Sequence, residues 1–310
     1  MSLNIVTLIN ALPGAFAQGL IWGIMAIGVY ITFRILDIAD LTVDGSLCTG
    51  GAVCIMMMLN GHNVWVSILA ATLAGMLTGL VTGFFHTFMG IPAILAGILT
   101  QLSLWSVNLK IMGKANQAIN VDKFDLIVSL RFVKNVAFYK NTLLVVALFI
   151  LAVILILYWF FGTELGSSIR ATGCNGNMAR AQGINTDFNK VLGLMISNGL
   201  VALSGALLAQ YQGFADINMG RGAIVIGLAA VIIGQALFKK IFRNFGFKLL
   251  GIAIGSILYY LVYQTVIWLG VDTDLLKLLS ALVVAVFLGL PNLKSKYFSK
   301  PVRRGGNEDA

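Results

Sequence analysis

Long apolar runs broken by short polar stretches make up nearly the whole chain. Uninterrupted apolar sequence covers residues 12–33, 45–59, 64–89, 91–109, 142–162, 191–208, 223–238, 249–269 and 275–290. No water satisfies backbone N–H and C=O groups inside a bilayer, so a spanning segment is either a helix or a strand of a closed barrel. Barrel strands alternate apolar and polar residues, and these runs do not. The pattern predicts an all-α, polytopic membrane protein with about nine transmembrane helices.

Runs 45–59 and 223–238 fall short of the roughly 20 helical residues that cross a hydrocarbon core. Each follows a polar stretch of similar wording. The first reads Ala39-Asp40-Leu41-Thr42-Val43-Asp44-Gly45, the second Ala215-Asp216-Ile217-Asn218-Met219-Gly220-Arg221-Gly222. Asp216 stands 176 residues after Asp40, and the same offset carries run 12–33 onto 188–209, the sixth run. Five crossings separate the copies, and an odd number turns the second upside down. The expected organisation is therefore two inverted halves, about 11–140 and 188–292, joined by the span 142–162 and a polar segment 163–187, with a basic tail at 293–310. Short, Gly-interrupted helices at matching places in inverted halves mark the pathway of a transporter, because their ends bring polar backbone near the midplane. Asp40, Asp44, Asp216, Asn218 and Arg221 are the residues expected to line or gate it. An ionisable group inside hydrocarbon must face a cavity or a partner.

Composition agrees with a membrane setting: 59% of the 310 residues are hydrophobic, 11% are charged, and the net charge is +9. The basic residues lie in loops between runs rather than in one patch with interleaved aromatics, which argues against a nucleic-acid partner. With the C-terminus in the cytoplasm, Arg34, Arg170, Arg180, Lys190, Lys239, Lys240, Arg243, Lys248, Lys294, Lys296, Lys300, Arg303 and Arg304 fall inside, 13 of the 21 cations. The stretch from Lys110 to Lys140, placed outside, breaks the positive-inside rule, whereas the second half obeys it. The first run has no basic leader and no small-residue cleavage site, so it is expected to remain as a span.

Chemistry is scarce. No GxxxxGK[ST] loop occurs, so the chain is not expected to hydrolyse ATP itself. Carboxylates and the two histidines, His62 and His86, form no triad, paired-acid site or proton relay. Three cysteines, Cys48, Cys54 and Cys174, show no CxxC spacing and read as buried, reduced fillers. Neither an enzyme, a metal site nor a cofactor site is expected. Gly75, Gly79 and Gly83, four apart, read as a helix-contact stripe. Tyr259, Tyr260, Tyr263 and Trp268 read as an interfacial belt, and the tail from Lys294 to Arg304 as a contact with anionic lipid.

The segment Gly162 to Asn185 is the most informative. Asn177 is positioned to cap a short helix containing Ala179 and Ala181 and ending at Gly183, which leaves Met178, Arg180 and Gln182 for a partner. Its wording, with Gly166, Arg170, Ala171, Gly173, Asn175, Ala179, Gly183, Ile184 and Asn185, resembles the inner-membrane permeases of ATP-binding-cassette importers, in the branched-chain amino acid and ribose permease family. Asp40-Leu41-Thr42-Val43-Asp44-Gly45-Ser46 and the Gly-rich run Gly220 to Gly234 extend the resemblance over most of the chain. Gly176 departs from it, standing where many relatives carry Pro. The resemblance implies a coupling helix that docks in a cleft of an ATPase subunit through Arg170, Gly173, Asn175, Met178, Ala179, Arg180, Gln182 and Gly183. It further implies two ATPase subunits, a second permease copy or a homologous partner in its place, and an extracytoplasmic solute-binding protein. Thr42-Val43-Asp44 resembles a branch linked to aromatic amino acid uptake. The residues by themselves leave open an ion-gradient-driven secondary transporter, a channel or scaffold subunit, and a permease for a sugar or nucleoside.

Overall fold

The computed structural model describes residues 5–121, 123–124, 126–133, 141–238 and 244–270, and beyond these only 275, 278, 281–282 and 285–286. The expected ninth span and the basic tail therefore lie outside the described residues, apart from those scattered positions. The elements are α1 (Ile5–Tyr30, prolonged by a π-helical turn Ile31–Ile35), α2 (Val43–Leu59), α3 (Val64–Thr87), α4 (Ala93–Met112), β1 (Asn116–Ala118), α5 (Thr142–Gly162), α6 (Glu164–Cys174), α7 (Gly176–Ala181), α8 (Thr186–Gln212), β2 (Phe214–Asp216), α9 (Ala223–Phe238) and α10 (Phe245–Trp268). Six of these helices are long and apolar enough to cross a membrane, while α2 and α9, with 17 and 16 residues, are the short pair.

Side-chain caps set several boundaries. Asn63, Asn141, Thr163 and Asn185 accept hydrogen bonds from the first-turn N–H groups of α3, α5, α6 and α8. Capping by Asn185 explains why α8 begins at Thr186, five residues before its apolar run. Asp187 in the first turn suits the positive end of the helix, although hydropathy alone reads it as loop.

The core gathers around α1 and α8, which are buried along most of the stretches 15–30 and 193–211, whereas α4 and α5 bury only one face. Ser197 and Ser204 of α8 donate to the carbonyls of Gly28 and Ile21 on α1, at 2.8 Å each. Gly75, Gly79 and Gly83 form the contact expected of them: a Cβ on any of the three would meet Asn198, Leu194 or Val191 of α8. The packing maps onto itself when α1, α2 and α3 are exchanged for α8, α9 and α10. Thus α3 packs along α8 as α10 does along α1, α2 lies on α8 as α9 does on α1, and α2 touches α3 as α9 touches α10. Strands β1 and β2 pair antiparallel, Asn116 opposite Asp216, so the loops after α4 and after α8 lie at the same end of the bundle.

Two sequence expectations are corrected here. Tyr259 and Tyr260 are buried, 3% and 6% exposed, and Tyr260 packs 5.8 Å from Trp22 between ring centroids, so they fill the α1–α10 contact rather than a belt. Cys48 and Cys54 are buried, but Cys174 is exposed at the end of α6.

Candidate functional site

The two polar stretches meet inside the bundle. Asp40, 3% exposed, accepts from the backbone N–H of Thr42 at 2.9 Å and from Asn198 Nδ2 at 2.7 Å. Asn198 lies near the middle of α8; its Oδ1 accepts from Ser46 Oγ at 2.6 Å, and Ser46 Oγ is 2.7 Å from Thr78 Oγ1. Beside this chain Thr42 Oγ1 sits 2.7 Å from Thr82 Oγ1, itself 3.0 Å from Thr100 Oγ1. The start of α2 is thus fixed by side-chain hydrogen bonds to α3 and α8, and through Thr82 to α4. Asp40 is consumed by that anchoring.

Asp44 does something different. Its carboxylate leaves α2 and accepts from Gly222 N and Ile224 N, both at 3.0 Å, capping α9 of the other repeat. The preceding stretch descends along α2: Cys48 Sγ donates to the Ile217 carbonyl and accepts from Gly220 N, each at 3.2 Å. Gly220 lies so close that a Cβ there would strike the Asp44 carbonyl. Because α9 starts at that depth, its N-terminal dipole opens at the junction, where Asp44 compensates it. We expect Asp44→Ala to lower stability by about 1 kcal/mol, with Asp44→Asn recovering part of the loss, read as thermal midpoints of the purified protein.

The other sequence candidates are divided. Asp216 stays at the mouth of the junction, accepting from Asn218 N at 2.7 Å and from Asn116 Nδ2 at 3.3 Å. Asn218 is exposed beside it. Arg221 is exposed and lines a cavity of about 210 Å³ with Asp44, Gly45, Cys48 and Ile217, closed on one side by Gln101, Leu102, Trp105 and Asn108 of α4. Sequence reasoning missed the α4 wall and the polar residues Asn198, Ser46, Thr78 and Thr82. A lone Ser, Thr or Asn in an apolar helix most often bonds its own backbone; the available signal was that Thr78 and Thr82 share a four-residue spacing beside the Gly75–Gly79–Gly83 stripe.

The second site is an elbow of two helices, not the single short helix expected. Thr163 caps α6, and Arg170 ties it down by donating to the Phe161 carbonyl at 2.8 Å, with its guanidinium carbon 5.9 Å from the Phe245 ring centroid. Gly173 abuts the end of α1: a Cβ there would overlap the Ile35 carbonyl and lie 2.9 Å from Leu36 Cα. The cap of α7 is Asn175, which accepts from Met178 N at 3.1 Å; Asn177, expected in that role, is exposed within the helix. Ala179 is the buried anchor of α7, and Gly183 closes it with a φ of +80°. Met178, Arg180 and Gln182 are exposed, with Arg180 Nε donating to Thr186 Oγ1 at 2.8 Å.

Comparison with known proteins places this architecture. The tyrosine transport system permease protein of Clostridioides difficile (strain R20291) is 40% identical over 284 residues, 92% of each chain. The uncharacterized protein RP368 of Rickettsia prowazekii (strain Madrid E) is 35% identical over 287 residues, 92% of this chain and 98% of that one. Among solved structures, PsaBC from Streptococcus pneumoniae in complex with Fab shares the fold, with a TM-score of 0.51 at 16% identity over 97% of this chain and 98% of that one. The family described as the permease component of the branched-chain amino acid transport system matches residues 12–288, and the chain belongs to that family.

Proposed function

We propose that the chain is the membrane-spanning subunit of an ATP-binding-cassette importer that moves an amino acid, aromatic by preference, into the cell. ATP is hydrolysed on separate partner subunits. The observation that carries this reading is the α6–α7 elbow: a capped surface helix presents Met178, Arg180 and Gln182 outward, while Gly173 rests on the end of the longest span. A partner that pushes on α7 therefore moves α1. The aromatic preference rests on the relative named for tyrosine transport.

A second copy of the permease completes the passage. Arg221 is exposed in one chain although its loop reaches Asp44 and Cys48 inside the bundle, and a cation at that depth must face water or protein rather than lipid tails. The face carrying Arg221, Trp105 and Leu102 is accordingly the one that lines the path between two copies. An extracytoplasmic binding protein delivers the solute at the end bearing β1 and β2, and the elbows face ATPase subunits in the cytoplasm.

Replacing Met178 and Gln182 by glutamate should strip the ATPase subunits during purification and reduce uptake about tenfold or more, since buried charge at an interface core opposes association. Uptake that continues without any ATPase and collapses when an uncoupler is added would instead establish a gradient-driven carrier.

A further inference from the structure

The cavity between α2, α4 and the loop before α9 holds polar groups that the fold leaves unused. Asn108, only 1% exposed, donates to the Gly45 carbonyl at 3.4 Å, yet its Oδ1 has no hydrogen-bond partner among the described residues. Buried acceptors are nearly always satisfied, so an unpaired one on a residue of the cavity wall calls for a donor that the described residues do not supply. Across the same cavity the Arg221 guanidinium makes no hydrogen bond among the described residues. Asp44, which would otherwise neutralise it, is turned into the first turn of α9. Besides Gly45, Cys48 and Ile217, the wall holds Trp105 and Leu102, with Gln101 half-buried beside them.

We infer that this cavity is a recognition site for the zwitterionic head of an α-amino acid, so that the permease carries a second selection step of its own. The inference rests on the importer reading above and adds the residues that read the solute. The carboxylate of the ligand meets the planar guanidinium of Arg221, whose paired N–H groups match both oxygens. Its ammonium supplies the missing donor to Asn108 Oδ1 and is drawn further by the nearby negative charge of Asp44. An aromatic side chain lies against Trp105 and Leu102. A neutral sugar offers Arg221 hydroxyl acceptors but no counter-charge and would leave that cation without a counter-ion, which is the stronger part of the discrimination.

Competition binding on the complete complex of permease and ATPase subunits tests this, with radiolabelled L-tyrosine against two analogues. Tyramine lacks the carboxylate, and 3-(4-hydroxyphenyl)propionate lacks the ammonium. The wild-type complex should prefer L-tyrosine over either analogue by about tenfold or more. Arg221→Ala should erase the preference over tyramine, with Arg221→Lys restoring part of it. Asn108→Leu, close in volume, should erase the preference over the propionate. An Arg221→Ala complex that keeps the wild-type order of the three compounds overturns the inference. So does a wild-type complex that retains its ATPase subunits and binds none of them. A permease that never assembles with ATPase subunits removes the importer reading itself, and the site with it.

Discussion

Replacing Asn198 by leucine is expected to lower the thermal midpoint of the detergent-purified permease by roughly 5–10 °C, corresponding to about 3 kcal/mol. The side chains are close in volume, so the loss is not one of packing. Asn198 joins Asp40 to Ser46 and returns a bond to the Leu194 carbonyl at 3.0 Å, and leucine removes all three of these bonds. An interhelical hydrogen bond in a bilayer is worth about 0.6 kcal/mol on average. A buried carboxylate that loses one of its two donors, keeping only the Thr42 N–H, adds the larger share. The network also has a direction: the Asn198 amide nitrogen points at Asp40 and its oxygen at Ser46, so Asp40→Asn sets an amide N–H₂ against another unless one of them turns. Asp40→Asn should therefore be destabilising as well, though less than Asn198→Leu. A midpoint for Asn198→Leu within a degree or two of wild type would mean that the network does not hold α2 in place.

The second large effect concerns coupling. Gly173→Val should reduce the amount of solute moved per ATP hydrolysed by about tenfold or more in proteoliposomes containing the assembled importer, because an ångström-scale misplacement at a precisely fitted contact is enough to break function. The glycine is required by space rather than by backbone conformation, since any Cβ would collide with the Ile35 carbonyl. Valine must push α6 away from the end of α1 and open a gap at the contact through which the proposed coupling passes. Gly176→Ala is the matched control: a Cβ at Gly176 meets nothing within 4 Å, and alanine suits a helix better than glycine. An unchanged transport-to-hydrolysis ratio in Gly173→Val would show that the elbow acts on some element other than α1.

Much of the fold was legible because hydrocarbon imposes a simple pattern. The α5 and α9 runs coincide with their helices from first residue to last, α5 being bounded by Asn141 and Thr163, which both stop apolarity and cap helices. Hydropathy loses its grip where polar residues are helical. It started α8 late, read α6 as loop, and placed the cap of the short helix at Asn177, where the structure has Asn175 capping and Asn177 inside the helix. The tyrosines of α10 were misread because a residue with an apolar body and a polar tip suits a membrane surface and a helix interface equally, and only the partner Trp22 separates the two. At the candidate site, the two similar stretches around Asp40 and Asp216 do lie together, with Asp44 bonded to Gly222 and Ile224, but their likeness does not say what each carboxylate does there. An acid in the first turn of α2 reads as serving its own helix, whereas Asp44 serves α9, a partner 180 residues away that no local pattern can reveal.

The exposure of Cys174 has a practical side. Cys48 and Cys54 are buried, so of the chain's three thiols only Cys174 is open to reagents, and it ends α6 directly before α7. The unaltered protein thus comes with a single attachment point for a spin label or fluorophore at the lever it is proposed to use. In a paired assembly two such labels form a molecular ruler, and its changing length across the nucleotide cycle would record the stroke of the elbow without a cysteine having to be removed.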